Sequence, residues 1–78
     1  MKFTRYFLSM RLRTDRSGIA LEWIERTTGQ PEHETLQEDG RIRRWRRIDE
    51  AEGRWLRVVL LEDGVTVHNA FFDRGGPK

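Results

Sequence analysis

Two Asp-Gly dipeptides, Asp39-Gly40 and Asp63-Gly64, constrain the second half of this chain more than any other feature. Glycine accepts the positive φ that a two-residue type I′ hairpin turn demands, and both pairs are flanked by residues suited to strands. The first turn would join a short strand near 35–38 to one over 41–48. The second would join 54–62 to 65–72. Val58, Val59, Leu60 and Leu61 are apolar in succession, which predicts a central strand covered on both faces. Between the hairpins, Asp49-Glu50-Ala51-Glu52-Gly53 reads as an acidic polar loop.

One strand is internally inconsistent. Ile42 and Ile48 share a strand face, whereas Trp45 falls on the other. A bulge near Arg43-Arg44 would bring them together. So would a helix, because these three residues recur at every third position. The glycine turn before them and the Val/Leu run after them favour the bulged strand.

The N-terminal half is less uniform. Tyr6, Leu8, Met10 and Leu12 alternate with more polar neighbours at strand period, yet a helix starting near Ser9 would put Met10 and Arg13 on one face. Periodicity leaves both readings open. After a break at Ser17-Gly18, residues 19–28 follow a helical pattern, with Leu21, Ile24 and Thr28 in one stripe and Trp23 beside it. Glu22 and Arg26 would form an outward i,i+4 pair. Gly29 suits the C′ position and Pro31 prevents continuation.

At 78 residues without cysteine, the chain makes one domain over 1–74, with a flexible tail over 75–78. A domain this small buries only about 60% of its unfolded surface, and no disulfide or thiolate metal site can staple it. Aromatic mass (Trp23, Trp45, Trp55 and the phenylalanines) or a second copy in a homodimer must supply the difference. The apolar stretch from Phe3 to Leu12 is too short for a signal peptide and is broken by Arg5 and Arg11. No run approaches the roughly 20 apolar residues of a membrane span, so the expectation is a cytoplasmic protein without membrane contact.

The net charge of +2 conceals segregation. Residues 18–40 carry six acids against one arginine, while 41–57 carry seven arginines against three acids. On a strand, Arg41, Arg43 and Arg47 point one way, and Arg44 and Arg46 the other. One face could then track phosphates, with Trp45 or Trp55 available for base stacking. The same arginines could instead protect an edge strand, or pair with Glu32, Glu34, Glu38 or Glu50.

Candidates for chemistry are few. His68 lies in the last strand, aligned with Thr66, Ala70 and Phe72, and could carry a proton near neutral pH. His33 sits in an exposed Glu-His-Glu run. Neither histidine has a second ligand at metal spacing, so no metal is expected. Neither Ser9 nor Ser17 stands in a nucleophile elbow, no phosphate-binding glycine loop joins a strand to a helix, and no cofactor is expected.

The order of these pieces resembles a family of small bacterial domains of unknown function allied to the BrnT/RelE-type toxin superfamily. The resemblance spans roughly Tyr6 to Arg74. It rests on the basic N-terminal segment, Gly18-Ile19 opening a helix, Ile24 and the Pro31 exit, Asp39-Gly40-Arg41, the Arg-aromatic strand, Leu56-Arg57-Val58-Val59-Leu60, and Phe72-Asp73-Arg74. It implies an α+β fold, with helical N-terminal structure packed on a twisted antiparallel meander of three to four strands. Residues 9–16 would then be helical. The toxins are small ribonucleases, so the resemblance implies RNA chemistry. Arg74 matches the arginine closing the last strand, and Arg44 or Arg46 the basic residue of the Arg-aromatic strand. Leu8 and Ser9 stand where related domains often carry a histidine.

Two functions follow as expectations. In one, Arg41, Arg43, Arg44, Arg46, Arg47 and Trp45 bind RNA, and His68, Arg46 and Arg74 form a cleavage site. In the other, the chain binds an acidic, antitoxin-like protein or its own twin through charge-complementary faces.

Overall fold

The computed structural model describes residues 1–12 and 18–77. Its elements run β1 (Lys2–Phe3), α1 (Arg5–Arg11), α2 (Leu21–Gly29), β2 (His33–Leu36), β3 (Ile42–Ile48), a 3₁₀ turn (Asp49–Ala51), β4 (Arg54–Leu60) and β5 (Thr66–Phe72). The fold is α+β, with five strands ordered β1-β5-β4-β3-β2. The four long strands form the expected antiparallel meander. A fifth strand was not expected: Lys2 and Phe3 pair in parallel with Thr66 and Val67, making the sheet mixed. Two residues carry no periodicity from which such a strand could be read.

α1 begins earlier than the resemblance implied. Thr4 is its N-cap, with Oγ1 accepting from Phe7 N at 3.0 Å. A helix of seven residues is marginal alone. Phe7 anchors it, buried in the core and stacked 5.1 Å from Phe3. The strand alternation has no counterpart, for Tyr6, Leu8 and Leu12 are all exposed. The expectations for Ser17 and for 13–16 lie outside the described residues.

In α2 the buried stripe is Ile24 and Thr27, both 0% exposed, rather than Leu21 and Thr28. Thr27 is accommodated because its hydroxyl donates to Trp23 O at 2.8 Å. The Glu22–Arg26 pair is replaced by a longer-range one. Arg26 forms a two-pronged bond to Glu50, at 3.0 and 2.8 Å, tying α2 to the 3₁₀ turn.

Both Asp-Gly pairs turn the chain, but not as two-residue type I′ turns. Positive φ falls on Gly40 (91°) and Gly64 (70°) and not on the aspartates before them, whereas type I′ needs it at both positions. Each aspartate instead folds its carboxylate onto the turn. Asp39 Oδ1 accepts from Arg41 N at 3.0 Å. Asp63 Oδ1 accepts from Val65 N and Thr66 N, both at 2.9 Å. A side chain at Gly40 would run into Glu62.

β3 pairs in unbroken register with both neighbours, so the bulge expected at Arg43-Arg44 is absent. The irregularity lies in β5, where Val59 faces Asn69 but Leu60 faces Val67, leaving His68 as the extra residue. His68 is therefore out of step with Ala70 and Phe72, contrary to the simple alternation. Trp45 needs no bulge, because each sheet face buries something. On one side Ile48, Leu56, Val58, Leu60 and Val67 join Phe7 and Ile24 of both helices. On the other, Trp45 is itself buried. β4 is the central strand that its apolar run predicted.

Replacing Leu56 by alanine, at the centre of the helix-side core, is expected to cost about 2–5 kcal/mol, measured by urea unfolding. Acid stability supplies a second test. Donors from Arg26 hold the Glu50 carboxyl at about 2, and the Thr66 hydroxyl with the turn amides hold Asp63 at about 2. Both lie below their open-chain values, so each adds stability above about pH 4 that is lost as pH falls toward 2. Glu50→Gln and Asp63→Asn together should flatten the acid limb of Tm against pH.

Candidate nucleic-acid interface

Strand alternation divides the arginines as the sequence indicated. Arg44 and Arg46 turn toward the helices, where both meet the C-terminal end of α2. Arg44 Nη1 donates to Thr28 O at 2.8 Å, and Arg46 Nη1 donates to Gln30 O at 2.6 Å. These carbonyls have no partner inside the helix, and cations are favoured at its negative end. Arg44 also binds Glu34 at 2.7 Å. Both guanidiniums are thus engaged in holding α2 on the sheet.

Arg41, Arg43, Trp45 and Arg47 lie on the opposite face, which no helix among the described residues covers. Register aligns them with β4 and β5 in rows. His33, Trp45, Arg57 and Phe71 form one row; Thr35, Arg43, Val59 and Asn69 form the next. Arg57 is wedged between rings, its Cζ 5.5 Å from the Trp45 centroid and 5.1 Å from that of Phe71. His33 meets Trp45 edge-on at 5.5 Å. In a third row Arg47 lies 4.8 Å over Trp55.

Trp45 is only 2% exposed although no helix lies over it. Its cover is side chains and the returning C-terminal segment. Trp45 Nε1 donates to Asp73 Oδ2 at 3.1 Å, and Arg57 Nη1 reaches the same oxygen at 3.4 Å. Gly75 N donates to Asp73 Oδ1 at 3.1 Å. Burial alone would raise the Asp73 carboxyl, but the donors from Trp45, Gly75 and Arg57 outweigh it and hold it below its ordinary value. Residues 75–77 fold back beside Trp55, and Gly76 is buried there with φ +67°, where a Cβ would lie 2.9 Å from the indole. Between Arg43, Trp45, Arg57, Asp73 and Gly76 lies a cleft of ≈ 160 Å³.

The residues expected to form a cleavage site are not brought together. Arg46 is on the helix side. His68 is at the start of α1, its Nδ1 3.2 Å from Thr4 Oγ1 and its ring stacked 4.8 Å from Tyr6. Thr4 Oγ1 already accepts from Phe7 N, so its own proton can go to His68 Nδ1. Burial, then Arg41, lowers the His68 pKa, which favours neutral imidazole. Arg74 is exposed in the turn just beyond the end of β5. Arg57, Phe71, Asp73 and Gly76 were missed as site residues. The register of β4 against β3 reveals Arg57, that of β5 against β4 reveals Phe71, and the turn after β5 brings in Asp73 and Gly76, none of which is local in the sequence.

Asp73→Ala should leave Trp45 Nε1 buried without an acceptor, at a cost of about 1–3 kcal/mol. Thermal unfolding measures the loss, and a red-shifted tryptophan emission should accompany it. Comparison with protein-family models, with curated proteins and with solved structures finds no match to this chain.

Proposed function

We propose that the protein binds single-stranded RNA on the helix-free face of its sheet. One observation carries the reading: Arg43 and Arg47 on β3, with Arg41 just before it, stand on the face that carries Trp55 and Phe71, with no described helix over them. Guanidiniums neutralise backbone phosphates and attract without sequence preference, while half-buried rings accept unstacked bases. An uncovered antiparallel sheet suits this task, because its rows present charge and ring at regular spacing. Arg44 and Arg46, engaged by α2, drop out of the set first assigned from sequence.

The reading stops at binding. Phosphodiester cleavage by a ribonuclease-like, BrnT/RelE-type route needs a proton carrier within hydrogen-bond reach of a clamped phosphate. Arg46 turns to the helix side in the row of Phe72, at the end of β5, whereas His68 lies at the bulge toward its start, so the two are not set around one phosphate. The charge-matched homodimer is also the weaker alternative. Glu34 binds Arg44 at 2.7 Å and Asp39 lies 3.7 Å from Arg41, so part of the complementarity a partner would need is used within one chain.

Titrating a fluorescent single-stranded RNA at several salt concentrations tests the proposal. With three phosphates neutralised, log K should fall with log salt at a slope of about −2, and Arg47→Ala should reduce the slope by about 0.7. Undetectable or salt-independent binding overturns it. Intact RNA is expected after prolonged incubation, with no difference between the parent and a His68→Ala, Arg46→Ala double variant.

A further inference from the structure

The cleft beneath the returning C-terminal segment differs from the rest of the face. Two broader depressions, ≈ 580 and ≈ 420 Å³, lie by the hairpin turns and hold more acid than base, Glu38 and Asp39 against Arg43 in one and Asp39, Glu62 and Asp63 against Arg41 in the other. The ≈ 160 Å³ cleft is walled instead by Arg43 and Arg57 against a single carboxylate, Asp73. Both Asp73 oxygens already receive donors, from Trp45, Arg57 and Gly75. Two guanidiniums against one carboxylate leave one positive charge facing the space.

Arg57 is incompletely satisfied. Its Nε is buried and has no hydrogen-bond partner, and its bond to Asp73 is long at 3.4 Å. Arg43 is pre-set beside it. With the Gln37 amide oxygen turned inward, Oε1 accepts from Arg43 Nε at 2.8 Å and from Nη2 at 2.7 Å. That anchors one edge of the guanidinium and leaves Nη1 for a ligand. Wedged between Trp45 and Phe71, Arg57 cannot swing away to find another acceptor. The open Nη1 edge of Arg43 beside the loosely held guanidinium of Arg57 fits a compact oxyanion, which accepts several charge-assisted bonds at once.

Size narrows the class. At ≈ 160 Å³ the cleft is well below the roughly 300–1,000 Å³ of pockets that take larger organic ligands. One phosphate fits, whereas a phosphate inside a chain would have to bring a sugar on each side. On the reading that the open face binds RNA, we infer that this cleft seats a terminal phosphomonoester of the strand, with the remaining nucleotides on the open face. The protein would then select RNA by its end, with Arg57 and Arg43 as the specificity-determining pair.

Competition against a fluorescent RNA tests this with unlabelled oligonucleotides of one sequence, carrying a 5′-phosphate, a 3′-phosphate or hydroxyls at both ends. One phosphorylated form is expected to compete about tenfold better than the hydroxyl form, as a charged bidentate contact would produce. That ratio should fall toward one in Arg43→Gln and in Arg57→Lys, the second kept in case the first perturbs the Gln37 contact. Circular dichroism verifies that both variants fold. Equal competition by all three forms overturns the end-selective cleft and leaves the RNA-binding face standing. Absence of binding by every form overturns both.

Discussion

Trp45 is buried on the side of the sheet that has no helix, and the arrangement of that face depends on how its indole is satisfied. A buried N–H needs an acceptor, and Asp73 supplies it from the end of β5. To do so the chain must turn immediately after β5, which brings Gly76 down onto Trp55. Arg57 then lies between Trp45 and Phe71 and shares the same carboxylate. One carboxylate thus links β3, β4 and the C-terminal segment after β5 into a second, small core.

The two cores are different in kind. The helix-side core is aliphatic, built from Ile48, Leu56, Val58, Leu60 and Val67 under Phe7 and Ile24. It stabilises by removing apolar area from water and says nothing about ligands. The opposite core is made of rings and guanidiniums, with polar edges that reach the surface. A 78-residue chain without cysteine has little apolar mass to cover both sides of its sheet. Rings, and the long side chains of Arg43 and Arg57, complete the burial of Trp45 and Val59. The same device that closes the small core exposes cationic groups along it, so stability and the proposed RNA binding draw on the same residues.

Arginine density alone does not distinguish the two faces of β3. Arg44 and Arg46 belong to the same cluster as Arg43 and Arg47, yet they accept the structural task of ending α2 through Thr28 O and Gln30 O. Helix termini leave carbonyls unpaired, and a cation nearby answers both the hydrogen-bond and the dipole requirement. Half of a basic strand can therefore be structural while the other half remains available to a partner.

Local chemistry in the sequence was enough for the four long strands, the turns near Gly40 and Gly64, the second helix and the central position of β4, because turn glycines and apolar runs act over a few residues. It also settled which arginines share a face, since strand alternation has a period of two. Tertiary structure decided the rest. β1 exists only because Thr66 and Val67 offer it an edge. The helical state of residues 5–11 depends on Phe7 finding the core, and the bulge falls at His68 because β5 must satisfy β4 and β1 at once. The cleft joins residues from β3, β4 and the segment after β5, and cross-strand register, which sets such encounters, is a property of the whole sheet rather than of any segment.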